Sequence, residues 1–222
     1  ILWGEQIGAV PTHLSGYQGH GSVAHPHGIL VTWALMMEGG IQVNLEGRRF
    51  SNEHQGYSEQ AVAVLAQPEQ TAFNIFDGRL QQLGRKFEDF RNAEENGAVL
   101  VADSLAELAA RIEVDSAALE ATLDEASLLA ESGGPDGFGR QFSADTLLRA
   151  PYCAVRVTGA LFHTQGGLLV DNHARVKRVD GSVFYSLFAC GGAACGVSGP
   201  DVSGYLSGNG LLTALAPGHL AG

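Results

Sequence analysis

The chain has 222 residues, of which 45% are hydrophobic and 17% are charged, and its formal net charge is −11. This length and apolar content suit one large or two small globular domains and exclude a disordered chain. The acidic balance and the lack of a basic run argue against a nucleic-acid partner. No apolar stretch is long enough to span a bilayer, which excludes a membrane-spanning helix.

The chain begins at Ile1 without a methionine and stops at Gly222, soon after its last helix begins. We therefore expect it to be a piece of a longer protein. The sequence has no signal-peptide pattern, and its three cysteines form an odd number without a CxxC pair. These features predict reduced thiols in a cytoplasmic protein, without disulfides or a zinc site.

The first fifty residues predict an irregular start, then a helix and a hairpin. Residues 1–28 carry scattered glycines and histidines and predict no regular element. The apolar run Ile29–Met37 predicts a buried helix. The segments Ile41–Asn44 and Arg48–Phe50, on either side of Gly47, predict two short paired strands.

The middle of the chain contains the clearest helix signals. Tyr57–Ala66 has helical spacing and ends before a proline, whereas Thr71–Phe76 alternates like a strand. Ser104 and Glu107 stand at the spacing of a capping box, which predicts a helix start. Asp115 is placed to cap the next helix.

The last third predicts short strands and a final helix. The strands are expected at four apolar segments, Tyr152–Val157, Leu168–Val170, Ala174–Arg178 and Tyr185–Cys190. A glycine-rich turn follows at residues 191–199. The final apolar helix is then expected to begin within residues 203–212. Glycines between a strand and a helix start let backbone N–H groups approach a ligand, and the helix N-terminus favours negative charge there. This turn is therefore a candidate ligand site.

Four histidines lie near the N-terminus, namely His13, His20, His25 and His27. A metal site needs three or four ligands with rigid spacing, and no carboxylate stands at a matching offset, so we expect no metal site. Chelation by His25 and His27 keeps a metalloprotein open as an alternative. The histidines could also be polar residues of a loop, or His20, between two glycines, could hydrogen-bond a substrate oxygen.

His163 ends an apolar run and precedes the polar turn Thr164–Gly167. That position predicts a donor at a turn where the backbone can approach a ligand, and a buried structural histidine is the alternative. Tyr57 and Tyr205 also lie beside close backbone approaches. A phenol can act as an acid or a base, although a tyrosine can equally serve packing alone.

Arg48 and Arg49 precede Glu53 by four or five residues. An arginine there is expected to pair with Glu53 as a structural fork and not to contact a substrate.

Three segments, in order, carry a family resemblance: Gly39–Glu53, His163–Leu168 and Gly191–Leu212. Over nearly its whole length the chain resembles the FAD-dependent fumarate reductase and succinate dehydrogenase flavoprotein family, which includes ketosteroid dehydrogenases and tricarballylate dehydrogenase-like enzymes. The resemblance implies an α+β fold. Residues 29–158 would form the capping, or catalytic, domain. Residues 1–28 would be the tail of a Rossmann-like FAD domain with a substrate loop, and residues 159–222 its C-terminal return segment.

The resemblance also implies a cofactor, FAD, and a reaction, hydride transfer between FAD and a C–C bond next to a carbonyl or carboxyl group. Tyr57 would move the proton, while His163, His20 and Tyr205 would orient the polar group of a small-molecule substrate. The implied substrate-binding residues are Thr164, Gln165 and Gly166. The implied cofactor-binding residues are Gly191, Gly192, Ser207, Gly208, Asn209, Leu211 and Leu212.

Two departures from the family pattern bear on the substrate. Tyr57 and Tyr205 stand where fumarate reductases have arginines, so the guanidinium forks that bind dicarboxylates are lost. Fumarate and succinate are thus unfavoured, and the tyrosines resemble the ketosteroid dehydrogenase branch. The family's N-terminal GxGxxG unit is also missing. The alternative is therefore a non-catalytic binding or interaction module that holds no flavin and self-associates through exposed apolar surface.

Overall fold

The computed structural model describes residues 1–222, and they form a mixed α+β structure. The chain divides into two compact units. The central unit is His20–Ala160, and the terminal unit combines Ile1–Gly19 with Leu161–Gly222. The assignment of residues 1–28, 29–158 and 159–222 to family domains stays a prediction.

The structure has eight α-helices and ten strands. The helices are α1 Leu2–Gln6, α2 Ala34–Met37, α3 Tyr57–Leu65, α4 Gly78–Gly84, α5 Glu88–Glu95, α6 Leu105–Ile112, α7 Ser116–Ser132 and α8 Asn209–Ala221. The strands are β1 Pro11–Thr12, β2 Tyr17–Ala24, β3 Ile29–Leu30, β4 Ile41–Val43, β5 Thr71–Asp77, β6 Leu100–Ala102, β7 Tyr152–Thr164, β8 Gly167–Leu168, β9 Arg175–Lys177 and β10 Val183–Phe188. No helix combines the length and the apolar character needed to cross a membrane.

The main sheet has the strand order β3-β2-β7-β5-β4, and β6 also pairs with β7. The strand β5, which lies between β7 and β4, is buried at all seven residues. Because successive side chains of a strand point to opposite faces, Ala72 and Phe76 join one apolar cluster while Phe73 and Ile75 join another. Helices therefore cover the sheet on both faces, and a polar side chain on β5 has to find a buried partner.

The two helices that follow β6 begin where their caps predict. The Ser104 hydroxyl accepts from the amide of Glu107 at 3.2 Å, and the Glu107 carboxylate accepts from the amide of Asp103 at 3.0 Å. The Asp115 carboxylate accepts from the amide of Ala118 at 3.0 Å. Both predicted starts are confirmed, with Glu107 reaching one residue further back than a standard capping box requires.

The prediction of an irregular segment at residues 1–28 is wrong, because residues 17–24 form the strand β2. A side-chain carbon at Gly21 would lie 2.7 Å from the carbonyl carbon of Gln60 in α3. The glycine thus serves close packing of a strand against a helix, a contact that leaves no local signal in the sequence.

Two further predictions need correction. The apolar run Ile29–Met37 divides into β3 and the short helix α2, because Leu30 pairs with Val23 of β2. Residues 48–50 form no strand, since β4 pairs with β5. The Asn44 side chain accepts from the amide of Arg48 at 3.2 Å, which closes a turn where a hairpin was expected.

The terminal unit contains two small antiparallel pairs, β1 with β8 and β9 with β10. Its core is formed by small and branched residues, Ala9, Leu168, Val176, Ala189 and Ala194. The strands predicted in this part of the chain are confirmed in place, with bounds that differ by a few residues. The final helix is also confirmed and begins at Asn209.

Candidate functional site

His20 and Tyr57 form a stacked pair in the central unit. His20 lies on β2 and is 5% exposed, and Tyr57 is the first residue of α3. Their ring centroids are 5.0 Å apart at an interplanar angle of 20°. Trp33 meets the His20 ring edge-on at 5.8 Å. The pair is therefore held within an aromatic cluster.

The hydrogen bonding of His20 fixes the position of its proton. The backbone amide of Ser22 donates to His20 Nδ1 at 3.2 Å. Because an amide N–H can only donate, Nδ1 has to accept, and the neutral ring carries its proton on Nε2. Burial lowers the pKa of His20 to about 4. At neutral pH this histidine is thus an uncharged N–H donor.

A buried network of amide and hydroxyl groups lies beneath this pair. Asn74 donates to the Ser22 hydroxyl at 2.7 Å, and Gln42 donates to the Asn74 carbonyl at 2.7 Å. Gln60 of α3 donates to the Gln42 carbonyl at 2.7 Å and to Ser51 at 2.6 Å. The network joins β2, β4, β5 and α3. The sequence offered one signal for it, amide residues inside the apolar strands β4 and β5, which we missed.

A buried carboxylate anchors the segment before α3. Glu53 accepts from Arg49 at 2.6 Å, from Arg140 at 2.8 Å and from the amide of Gln42 at 2.8 Å, and Arg49 also pairs with Asp136. Burial by itself would raise the pKa of Glu53, but hydrogen bonds and the charges of the two arginines outweigh it and lower that pKa. The predicted Arg49–Glu53 fork is confirmed, whereas sequence reasoning missed the other two partners.

His163 and Tyr205 form the corresponding pair in the terminal unit. His163 Nδ1 lies 2.8 Å from the carbonyl oxygen of Thr164, which can only accept, so the proton is on Nδ1. In the neutral ring Nε2 is then an acceptor. It lies 3.1 Å from the Tyr205 hydroxyl and 3.3 Å from the amide nitrogen of Gln165. Tyr205 therefore donates its phenolic proton toward His163.

The first turn of α8 leaves several polar groups without partners. The backbone amides of Gly210 and Leu211 have no acceptor in the chain. Asn209 is 3% exposed, and its Oδ1 is buried with no hydrogen-bond partner, as is Oε1 of Gln165. A side-chain carbon at Gly210 would lie 3.1 Å from His163 Nε2. The His163–Tyr205 pair and the start of α8 thus form one cluster inside the terminal unit.

The other residues predicted to bind the cofactor lie near α8 or on its exposed start. Gly191 and Gly192 begin a short 3-10 turn, and a side-chain carbon on Gly191 would lie 3.4 Å from Ala214 of α8. The remaining four are exposed, namely Ser207, Gly208, Leu211 and Leu212. Their roles remain predictions.

Of the residues predicted to bind substrate, Thr164 is exposed, while Gln165 and Gly166 are buried. Gln165 reaches toward His163, and Gly166 packs against the backbone of Leu14. These roles also remain predictions.

The remaining histidines do not gather. His25 and His27 are exposed, and His13 Nδ1 lies 3.0 Å from the sulfur of Cys195. The three cysteines are free thiols. The structure brings together no group of three or more histidine, cysteine, aspartate or glutamate side chains that could hold a metal ion.

Comparison with known proteins gives consistent matches. The profile of a family described as "FAD binding domain" matches residues 4–211. "Fumarate reductase (cytochrome)" from Shewanella frigidimarina is 31% identical over 218 residues, which are 98% of this chain and 37% of the relative. "4-Oxocyclohexanecarboxylate 2-dehydrogenase" from Sinomonas cyclohexanicum is 31% identical over 194 residues, covering 76% of this chain and 33% of the relative.

Among solved structures, the open conformation of a flavocytochrome c3 fumarate reductase matches with a TM-score of 0.71 at 28% identity. The match covers 99% of this chain and 38% of that one. The chain therefore spans little more than a third of the length of the relatives it matches.

Proposed function

This chain belongs to the FAD-binding domain family, and on that premise we propose that it forms part of an FAD-dependent oxidoreductase acting on CH–CH bonds. The bond would lie next to a carbonyl or carboxyl group, and the reaction would be desaturation or ene reduction. One observation carries the proposal. A tyrosine hydrogen-bonded to a histidine, Tyr205 with His163, lies against the N-terminal turn of α8, where buried polar groups are left unpartnered.

The polar groups at the start of α8 suit a flavin. A flavin ring carries N–H and C=O groups along its pyrimidine edge and is apolar elsewhere. The amides of Gly210 and Leu211 could donate to its carbonyl oxygens, and Oδ1 of Asn209 could accept from its N–H. Exposed Leu211 and Leu212 could contact its apolar part. Ser207, Gly208, Gly191 and Gly192 would complete the cofactor-binding set, and bound FAD would supply the hydride acceptor or donor.

The two histidine–tyrosine pairs would handle the substrate. His20 and Tyr57 in the central unit and His163 and Tyr205 in the terminal unit are the proposed catalytic residues, with Thr164, Gln165 and Gly166 in support. One of the tyrosines would move the proton that accompanies hydride transfer. Tyr57 and Tyr205 stand where fumarate reductases have arginines, so we favour a ketone over a dicarboxylate. The relative named as a dehydrogenase of an oxo-cyclohexane acid supports that choice.

The rest of the FAD domain would come from an N-terminal half of the same protein, which would carry the GxGxxG unit. Residues 29–158 would be its capping domain, and we propose a cytoplasmic location. The apolar side chains exposed on α8, among them Leu211 and Leu215, would favour self-association of the chain on its own.

A visible absorption spectrum of the full-length protein tests the cofactor. We expect flavin bands at about 375 and about 450 nm. A protein that stays colourless after FAD is added would refute the proposal in favour of a flavin-free binding module.

Substrates are tested next on the same protein. We expect 4-oxocyclohexanecarboxylate or a related ring ketone to bleach the oxidised flavin, and fumarate to reoxidise the reduced flavin no faster than buffer does. Replacing both tyrosines, Tyr57→Phe with Tyr205→Phe, should slow bleaching at least about 100-fold while the flavin bands remain. The control is Tyr185→Phe, at a tyrosine that is 86% exposed. Rapid reoxidation by fumarate without bleaching by ketones would overturn the substrate class.

A further inference from the structure

We propose that the central unit binds a further small molecule, an amine carried on a six-membered ring, in a cavity between α7 and the segment that leads into β7. This inference goes beyond the proposed function and does not depend on flavin chemistry. The cavity has a volume of about 120 Å³. An engineered protein cavity of about 150 Å³ holds benzene, so this space is of the size that takes one ring.

The walls of the cavity are mostly apolar. They come from β4, the start of α6, the middle of α7 and residues 142–152. Ile41 of β4 belongs to a buried apolar cluster, against which further wall residues pack, namely Leu105, Leu123, Phe142, Leu148 and Tyr152. Side chains around a void lack packing partners on one side, so a ligand that fills the void gains their dispersion contacts. The walls thus suit the hydrocarbon part of a ring.

Two hydroxyl groups in the wall already donate hydrogen bonds within the chain. Ser127 donates to the carbonyl oxygen of Leu123 at 3.1 Å, and Thr146 donates to the carbonyl oxygen of Ser143 at 3.0 Å. Each hydroxyl has thereby used its single proton, whereas a buried water usually needs about two to four polar partners. The cavity therefore favours an apolar ring over a group of ordered waters.

A carboxylate marks the exposed end of the cavity. Asp124 of α7 lines the cavity and is exposed, and no lysine, arginine or histidine belongs to the lining. The chain as a whole carries a net charge of −11. A ligand ammonium group is attracted to this carboxylate, whereas a ligand carboxylate is repelled by it. The polar end of the cavity thus selects an amine over an acid.

Phe142 connects the cavity to the buried carboxylate that anchors the segment before α3. The guanidinium carbon of Arg140 lies 4.8 Å from the centre of the Phe142 ring, and that of Arg49 lies 5.0 Å from it. Both arginines pair with Glu53. A ligand that packs on Phe142 therefore supports the network that holds the start of α3. Because the unfolded chain has no cavity, binding should raise the melting temperature of the protein.

The first test locates the ligand by NMR of full-length protein labelled with ¹³C in its leucine methyl groups. The probes are benzylamine, benzyl alcohol and benzoate, which share a ring and differ in charge. We expect benzylamine to shift the methyl signals of Leu123 and Leu148, since an aromatic ring shifts the resonances of methyl groups beside it. The signal of Leu80, which is buried in the other apolar cluster, should not move. Unchanged signals of Leu123 and Leu148 at saturating benzylamine would overturn the proposal.

The second test is the order of affinities in the same titrations. We expect benzylamine to bind more tightly than benzyl alcohol, and benzoate to bind most weakly. Asp124→Asn should weaken benzylamine about two- to fivefold, as expected for an exposed ion pair, and leave benzyl alcohol unchanged. The matched control is Glu125→Gln, at the neighbouring exposed carboxylate outside the lining. If benzoate binds as tightly as benzylamine, the assignment to an amine is wrong.

The third test fills the cavity from α7. Ala126 lines the cavity and is 7% exposed, so Ala126→Leu places three more carbon atoms in the ligand's space. We expect this variant to weaken benzylamine at least about tenfold, whereas Ala121→Leu, at an exposed position of the same helix, should have no effect. If Ala126→Leu does not fold, Ser127→Leu makes the same test from a half-buried position. Wild-type affinity in a folded variant of this kind would overturn the proposal.

These results are independent of the flavin tests. The methyl shifts report binding whether or not the protein turns over a substrate. A protein that reacts with no ketone but binds benzylamine at Leu123 and Leu148 would refute the oxidoreductase proposal and support the cavity. A protein that bleaches with ketones but shows no shift at these leucines would do the reverse.

Discussion

The central and terminal units each place a histidine beside a tyrosine, but the two imidazoles are hydrogen-bonded in opposite directions. In the central unit, a backbone N–H donates to Nδ1 of His20. In the terminal unit, a backbone carbonyl faces Nδ1 of His163. The first arrangement places the proton on Nε2 and the second leaves Nε2 as an acceptor.

The difference shows that one backbone group decides the chemistry of a histidine. His20 lies within the strand β2, where the amide of Ser22 in the same strand donates to the ring. His163 lies near the end of β7, where the chain leaves the strand and presents a carbonyl. The same pair of residue types thus gives an imidazole Nε2 that donates a hydrogen bond in one unit and one that accepts a hydrogen bond in the other.

The largest effect should come from breaking the ionic support of the His20–Tyr57 pair. Glu53→Gln keeps the side-chain volume but leaves the buried charge of Arg140 without its carboxylate. We expect a loss of about 3–5 kcal/mol in the free energy of unfolding, measured by chemical denaturation. The control is Arg111→Ala, which removes an exposed ion pair with Glu107 and should cost less than about 1 kcal/mol. Equal losses in both variants would show that the buried network does not support the central unit.

An effect of intermediate size is expected from the acid titration of His20. Burial of the ring lowers the pKa of His20 in the folded protein to about 4, below the ordinary histidine value of about 6.5. Between these values the unfolded chain binds a proton that the folded chain does not. The free energy of unfolding therefore falls as the pH drops from about 6.5 to about 4, by up to about 3 kcal/mol.

The variant His20→Gln should remove that part of the pH dependence. The measurement is a series of denaturation curves across this range of pH, and His219→Gln, at an exposed histidine, is the control. If the free energy of unfolding depends on pH equally steeply in the wild type and in His20→Gln, His20 is not held neutral by the fold.

The smallest effect distinguishes two glycines of α8 and sharpens the comparison in the terminal unit. A side-chain carbon at Gly218 would lie 3.7 Å from Cys190, an ordinary contact, whereas one at Gly210 would lie 3.1 Å from His163 Nε2. Gly218→Ala should therefore stabilise the helix by up to about 1 kcal/mol. Gly210→Ala should increase the free energy of unfolding by less than Gly218→Ala does, and it should disturb the His163–Tyr205 hydrogen bond.

Chemical denaturation measures the stability of the two variants, and the imidazole ¹⁵N shifts of His163 report the hydrogen bond. A stabilised Gly210→Ala protein with unchanged shifts would mean that the helix start does not hold the ring.

Much of the fold could be predicted from local patterns. The caps at Ser104 and Asp115 start their helices as expected, because a cap depends on residues three positions apart. The burial of the strand at Thr71–Asp77 follows from its apolar residues. The predictions failed where pairing decided the outcome, as at Ile29–Met37, where Leu30 pairs with β2 and leaves only four residues for a helix.

The sequence by itself determined the family, the α+β class and the identity of the four residues proposed for catalysis, because these depend on residue types in order along the chain. The tertiary structure alone decided how those residues are hydrogen-bonded. Arg140 reaches Glu53 across 87 positions, and Tyr205 reaches His163 across 42. Such contacts depend on how strands and helices pack, so no local pattern encodes them. The position of each imidazole proton depends in turn on whether the backbone presents an N–H or a carbonyl to the ring.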